Sequence, residues 1–219
     1  MSPNAIPILL LAFFGCFSSP ADAQINLKTG YNFSILLTDG LDQLISSINT
    51  SRSYDKPFSS IKWLHGLEAG LRWKGGTSAL EITYQAAYKS TKASGVNGTE
   101  VFDDVLKLFI HSAALGYQYS DGLFGIGTDL QYQLYRTKFT NGLEANSFLH
   151  KQKMTALKFY LMLTLKGGKG VDMALQPYYV LPFDEYDLVP LAQDLQVVVS
   201  ENQKLSRFGL TVLFYNGKK

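Results

Sequence analysis

The sequence predicts an all-β fold: an antiparallel, up-and-down transmembrane β-barrel of about eight strands. From residue 24 onward, apolar and polar residues alternate with a period of two, which is typical of strands with two unlike faces. The connections between the segments alternate between short and long, and antiparallel strands would gather all the long loops at one end. After residue 23 no apolar run is long enough for a transmembrane helix, so a membrane form has to be a closed barrel.

Residues 1–23 are predicted to be a signal peptide for export through the Sec pathway. An apolar segment runs from Ile6 to Phe17, and Ala21-Asp22-Ala23 has the small-x-small pattern of a cleavage site. The barrel domain then covers residues 24–219. The single cysteine, Cys16, lies inside the signal, so the mature chain has no thiol for disulfide chemistry.

The composition favours strands and excludes a nucleic-acid binder. The chain has 13 Tyr, 14 Phe and 19 Gly but only 17% charged residues, a combination that suits strands and tight turns. Its net charge is +2, and no run of Lys and Arg stands out along the sequence.

Each predicted strand has one bulky apolar face and one face of Gly, Asn, Gln, Thr and scattered ions. The apolar faces follow the ranges Ile25–Ile35, Trp63–Trp73, Leu80–Tyr88, Phe109–Tyr119, Phe124–Leu134, Leu157–Leu165, Met173–Leu181 and Phe208–Phe214. Two segments are imperfect. Leu108 and Ile110 fall on the polar face of the fourth, and Pro177 interrupts the seventh, where we expect a bulge or an early end because proline lacks the N–H that a ladder needs.

The long connections are predicted to be external loops and the short ones periplasmic turns. The long ones cover 38–61, 91–105, 138–153 and 182–204, and the short ones 74–77, 120–122 and 167–170. In the first long loop, Leu41, Leu44, Ile45 and Ile48 have helical spacing, which predicts a short amphipathic helix that caps the barrel mouth or contacts a partner. The last loop is expected to extend strands above the membrane, where they could bind protein by edge pairing.

The apolar face is predicted to be the outer one, facing lipid. A soluble lipocalin-like barrel would need a wet outer face, whereas small and polar residues suit a narrow, filled lumen. Trp63 and Trp73 lie ten residues apart on one face, and a tilted strand of that length projects to about 25 Å, the height of the apolar band. Two aromatic girdles follow from this placement. The outer girdle contains Trp63, Tyr88 and Phe109, and the periplasmic girdle contains Trp73, Tyr117, Tyr119 and Phe124.

Charged residues on the polar face are expected to line the lumen. They are Lys28, Glu68, Arg72, Glu81, Lys89, Asp129, Lys158, Lys166 and Arg207. Buried charges have to be paired, so the main interpretation is a salt-bridged plug. A polar conduit is the alternative, although about eight strands leave room only for side chains.

The sequence contains little that indicates catalysis. A lipid hydrolase or acyltransferase would need a His beside a Ser and an acid near the outer rim. The residues available for this are His65, His111, His150, Ser59, Ser60 and Asp104. There is no G-x-S-x-G motif and no zinc or EF-hand spacing, so we predict no enzyme activity, no cofactor and no metal site.

Three segments resemble the outer membrane protein beta-barrel domain family, the small PorT-like barrels. They are the opening Ile25–Tyr31, the Gly66–Leu71 strand and the closing Arg207–Phe214. The resemblance extends over essentially all of the mature chain. It implies a bacterial outer-membrane barrel whose last strand is read by the barrel insertion machinery, and it carries over no catalytic residue.

The predicted function is a structural or binding barrel in the bacterial outer membrane. Its partners would be outer-membrane lipids, the insertion machinery during assembly and any surface partner that the external loops select. Two alternatives stay open at this point: an outer-membrane lipid-modifying enzyme and a soluble lipocalin-like carrier.

Overall fold

A computed structural model describes residues 24–37, 40–97, 100–144, 146–165, 167, 170–199 and 202–216. The predicted signal peptide, with Cys16, and the predicted lumen residue Lys166 lie outside these residues. The described part contains no helix that is long and apolar enough to cross a membrane.

The described residues form eight strands and two helices. The strands are β1 Gln24–Leu36, β2 Trp63–Gly75, β3 Ser78–Asn97, β4 Glu100–Asp121, β5 Phe124–Thr140, β6 Ser147–Leu165, β7 Val171–Pro182 and β8 Arg207–Asn216. The helices are α1 Gly40–Ser51 and α2 Val189–Asp194. Every strand pairs antiparallel with its sequence neighbour, and β1 pairs with β8, so the sheet is closed in up-and-down order. The predicted fold class is confirmed.

The register of the closed sheet sets the tilt of the strands. A path that starts at Gln24 and steps from each residue to its direct partner on the next strand goes once around the barrel. It returns to β1 at Ser34, ten residues further along the strand. With eight strands, this stagger corresponds to a tilt of about 40° from the barrel axis. Each residue then advances about 2.5 Å along the axis.

The two aromatic girdles lie where the sequence predicts them. Tyr88 is directly opposite Phe109, with ring centroids 4.6 Å apart, and β2 places Trp63 beside them at the outer end. Trp73, Tyr119 and Phe124 lie near the short turns at the other end. The outward faces between the girdles carry exposed apolar side chains on all eight strands.

Two of the predicted long loops are strands instead. β3 continues to Asn97 and β4 starts at Glu100, so most of 91–105 is a β-ladder, and β5 and β6 likewise reach Thr140 and Ser147. The prediction was wrong because polar residues occur on both faces of these segments and the few apolar ones, such as Phe139 and Phe148, do not follow a regular alternation. Above the membrane the outer face of each hairpin meets water while its inner face packs partly on the cap, so polar residues there do not end a strand.

The last predicted loop does not extend strands as expected. β7 ends at Pro182, and the following segment contains α2 and an isolated bridge between Tyr186 and Gln203. Pro190 near the first turn of α2 suits a helix start, because its missing N–H has no helical partner there. The edge-pairing hypothesis for this loop is therefore withdrawn.

Pro177 causes neither the bulge nor the early end that its position predicts. β7 pairs continuously with β8 through Pro177 and Leu210, and it keeps one register with β6 on both sides of the proline. The β6–β7 ladder is open only between the Tyr160–Tyr178 and Leu163–Leu175 pairs. The ladders with β6 and β8 hold the strand in place, so the missing N–H of Pro177 removes one backbone hydrogen bond without ending the strand.

An apolar cap fills the outer end of the barrel. Helix α1 buries the four residues that the sequence marks as its apolar face: Leu41, Leu44, Ile45 and Ile48. Leu108 and Ile110, which break the alternation of β4, are buried in the same cluster. Their position explains the irregularity, because the lumen changes from polar to apolar at the height of the cap. The capping role predicted for α1 is confirmed.

Candidate functional site

The lumen below the cap contains one network of paired charges. Its six buried members are Lys28, Arg72, Lys158, Glu68, Glu81 and Asp129. Lys28 Nζ lies 2.7 Å from a carboxylate oxygen of Glu68 and 2.7 Å from one of Glu81. Lys158 Nζ lies 3.6 Å from both Glu68 and Asp129, and Arg72 Nε lies 3.5 Å from Glu81. Three cations therefore face three carboxylates, and the predicted salt-bridged lumen is confirmed for these residues.

Arg207 connects this polar region with the cap. It is fully enclosed, and no described carboxylate lies within ion-pair distance of it. Its Nη1 donates to the Tyr135 hydroxyl at 3.0 Å, and Tyr135 donates to Gln133 Oε1 at 3.0 Å. Among the described residues, the Arg207 guanidinium is therefore hydrogen-bonded to a neutral phenol and not paired with a carboxylate. Lys89, another predicted lumen residue, is half-buried in the middle of β3, directly opposite Leu108.

Asp104 fastens the cap to the barrel wall. Its buried carboxylate accepts hydrogen bonds from Arg52 Nη1 at 2.9 Å, from the Tyr54 hydroxyl at 2.5 Å and from the Gly142 N–H at 2.8 Å. Burial and the bond to Asp104 raise the pKa of Tyr54 well above its ordinary value, so the phenol stays protonated and donates. One carboxylate therefore joins the first loop, the β3–β4 hairpin and the β5–β6 connection.

Replacing Asp104 by Ala is expected to loosen the cap while leaving the barrel wall folded. Three donors lose a charged acceptor at about 1.5–3 kcal/mol for each such bond, partly recovered by water. Hydrogen exchange of α1 and of residues 141–144 should accelerate by at least about 30-fold, with little change in β1 or β8. The matched control is Asp103→Ala on the same strand, because the one ion pair of Asp103 among the described residues is with the exposed Lys92. Equal exchange rates in the two variants would contradict the fastening role.

A groove opens on the outer surface beside Asp104, and all four outer connections contribute to it. Its volume is about 480 Å³. The groove has an aromatic and aliphatic part with ionic groups around it. Its lining residues are Arg52, Ser53, Val96, Phe102, Asn141, Leu143, Glu144, Phe148, Asp194, Leu195 and Gln196. Polar and apolar side chains contribute about equally to the lining, which is the composition of surfaces that recognise other proteins.

Gln196 is the one described non-glycine residue with a positive φ, of 57°, and it lies at the edge of this groove. Such a conformation is uncommon for a residue with a side chain, and it persists only where surrounding contacts hold it. The Gln196 N–H donates to the carbonyl of Gln193 at 3.1 Å, and Val197 N–H donates to that of Ala192 at 2.9 Å. These bonds turn the chain sharply after α2 and bring it to the groove.

The residues considered for catalysis do not form a common site among the described residues. His65 and His111 lie on the outward, lipid-facing side of β2 and β4, and His111 Nδ1 lies 2.7 Å from the Tyr84 hydroxyl. Asp104 is enclosed in the cap. The other three residues lie elsewhere: the Ser59 hydroxyl contacts Thr91, the Ser60 hydroxyl donates to Asp42, and the His150 ring packs on Tyr186.

The outer groove was not predicted from the sequence. Its residues come from four separate connections, and two of those were assigned to long loops that are largely strand. The apolar residues Val96, Leu143 and Phe148 within polar segments were the available signal. Only the folded chain shows that they meet.

No family model matches this chain, and no curated protein matches it. Solved structures of small outer-membrane barrels resemble it. Ail, the attachment invasion locus protein of Yersinia pestis, crystallised with the heparin analogue sucrose octasulfate, is 10% identical, with 89% of this chain and 97% of that chain covered and a TM-score of 0.47. Neisserial surface protein A is 10% identical, with 90% and 99% covered and a TM-score of 0.43. The outer membrane protease OmpT from Escherichia coli is 8% identical, with 90% and 95% covered and a TM-score of 0.38.

The architecture itself defines where the protein works. The sheet is closed, its outer face is apolar between two aromatic girdles, its charges are inside, and three short turns lie at one end. This is the arrangement of bacterial outer-membrane barrels, because a closed barrel leaves no unpaired edge in the lipid. The protein is a small β-barrel of the bacterial outer membrane.

Proposed function

We propose that the chain is a non-enzymatic, membrane-anchored binding protein that recognises a surface partner through its outer groove. The observation that carries this proposal is the convergence of all four outer connections on one groove above a filled barrel. The barrel interior is occupied by the ion network and the cap, so the groove is where specificity can reside. Barrel strands that hold recognition loops rigidly are a common solution in proteins.

The lining favours an extended peptide segment with alternating apolar and charged side chains. Phe102, Leu143 and Phe148 offer apolar contact area, while Arg52 and the carboxylates of Glu144 and Asp194 lie beside them. Charges of both signs at the rim give orientation and specificity, and the apolar part supplies most of the affinity.

The test is selection of random displayed peptides on the refolded barrel in lipid nanodiscs. Recovered peptides are expected to lose at least about tenfold in affinity when Val96 and Leu143 are both replaced by Asp, because two exposed apolar contacts are removed. Val96 is 54% exposed and Leu143 is 41% exposed, so the variant should fold.

The matched control is Val189→Asp, since Val189 is another exposed aliphatic residue of the outer loops that does not line the groove. Peptides should bind this variant as they bind the original protein. Selection that yields no groove-dependent peptide, or peptides equally sensitive to both variants, would refute recognition through this groove.

Within the outer-membrane barrels, we assign the chain to the small PorT-like group. The three segments that support this assignment are not scattered in the structure: they fall in β1, β2 and β8, which are consecutive neighbours around the closing seam. The seam strand β8 is the one proposed to be read by the insertion machinery.

A further inference from the structure

Five cations lie together on the lipid-facing side of three adjacent strands, just above the outer girdle. They form the basic patch, which consists of Lys107 on β4, Arg136 and Lys138 on β5, and Lys151 and Lys153 on β6. The residues are separated along the chain, and only the sheet register brings them together. Lys107 is directly opposite Lys138, and Arg136 is directly opposite Lys151.

This arrangement is unfavourable for the chain alone. Like charges directly opposite each other destabilise a sheet. None of the five has a described carboxylate within ion-pair distance, whereas Lys92 on the neighbouring hairpin pairs with Asp103 at 2.6 Å. Asp184 borders the patch on the β6 side, but it accepts bonds from the Thr155 N–H at 2.7 Å and hydroxyl at 2.9 Å. The patch therefore presents positive charge that no described carboxylate pairs with, and this charge is available to an external anion.

The height of the patch indicates where that charge comes from. Lys107 lies two residues beyond Phe109, and Arg136 lies two residues beyond Leu134, so both are about 5 Å above the apolar band. This is the level of the lipid headgroups. The cations also face outward from the barrel, toward the neighbouring lipid and away from the outer groove.

We propose that the basic patch binds the phosphate groups of anionic lipids in the outer leaflet, holding a phosphorylated lipid against β4, β5 and β6. Lysine and arginine are suited to this role, because both donate charge-assisted hydrogen bonds to phosphate oxygens. The apolar faces of the same strands, with Leu130, Tyr132 and Leu157, continue below the patch and contact the acyl chains. The site is separate from the proposed recognition groove.

The experiment measures binding of diphosphorylated lipid A to the refolded barrel in detergent, by native mass spectrometry, against dephosphorylated lipid A. The test variant is Lys107→Gln/Arg136→Gln/Lys151→Gln. The control is Lys56→Gln/Lys62→Gln/Lys204→Gln, which removes three exposed cations from the outer loops. At about fivefold per basic residue, the test variant should bind the phosphorylated lipid on the order of 100-fold more weakly. The control should bind as the original protein does.

The outcomes separate the possible sources of binding. Equal binding of the two lipids by the original protein, or equal loss in both variants, would overturn the proposal. Inorganic phosphate that displaces the lipid at low millimolar concentration would show a site for free phosphate and would overturn the lipid assignment. A variant with Lys107→Arg and Lys151→Arg should retain binding, because both positions keep their charge. Heat-shifted gel mobility of each variant checks that the barrel is folded.

Discussion

Replacing Lys28 by Met should lower the free energy of unfolding by about 3–5 kcal/mol, the cost of removing one partner from a buried ion network. Lys28 Nζ is the group that two carboxylates share at 2.7 Å, and it also donates to Thr83 Oγ1 at 3.2 Å. Without it, Glu68 and Glu81 keep only the longer contacts to Lys158 and Arg72, at 3.6 and 3.5 Å. Urea unfolding of the barrel in vesicles, followed by tryptophan fluorescence, measures the loss.

Two further variants test the cause of that loss. Lys28→Met/Glu68→Gln restores the charge balance and should recover part of the stability, because one uncompensated carboxylate is removed. Lys92→Met breaks the exposed pair with Asp103 and should cost less than about 1 kcal/mol. If Lys28→Met and Lys92→Met were equally stable, the lumen network would contribute nothing beyond a surface pair.

Gly66→Ala should destabilise the barrel by about 3 kcal/mol or more, at the upper end of the range for overpacking. Gly66 lies on the inward face of β2, and a Cβ added there would overlap the Ala86 carbonyl oxygen and press on the Ala87 Cα. Both neighbours are backbone atoms of β3. A side chain could turn aside, whereas relief here requires the two strands to separate and the ladder between them to break.

Gly75→Ala is the control on the same strand. An added Cβ at Gly75 meets no atom within 4 Å, so the substitution should change the stability by less than about 0.5 kcal/mol. Gel mobility without heating and the urea midpoint read out both variants. A Gly66→Ala barrel as stable as Gly75→Ala would mean that the close approach of β2 and β3 is not required.

The polar lumen shows how far local pattern carries the prediction. Lys28, Glu68, Glu81, Asp129 and Lys158 were placed inside by alternation alone, and the structure buries all of them. Which cation meets which carboxylate was beyond the sequence. Those pairs join β1, β2, β3, β5 and β6, and their distances follow from the ten-residue stagger of the closed sheet.

The outer part of the protein was predicted less well. The pattern identified α1 because its apolar spacing is local. It misread residues 91–105 and 138–153 as loops, since these segments lack a regular apolar alternation and their pairing depends on the partner strand. Leu108 and Ile110 looked like errors of alternation until α1 was placed over them in the cap.

The sequence by itself determined the eight strands, the inward and outward faces and the two aromatic girdles, because a strand exposes alternate residues to two different surroundings and this requirement acts residue by residue. Only the tertiary structure decided the ion pairs, the cap fastened by Asp104, the outer groove and the basic patch. Each of these brings together residues from strands or connections that are distant along the chain, and their meeting depends on barrel closure and register, which no single segment specifies.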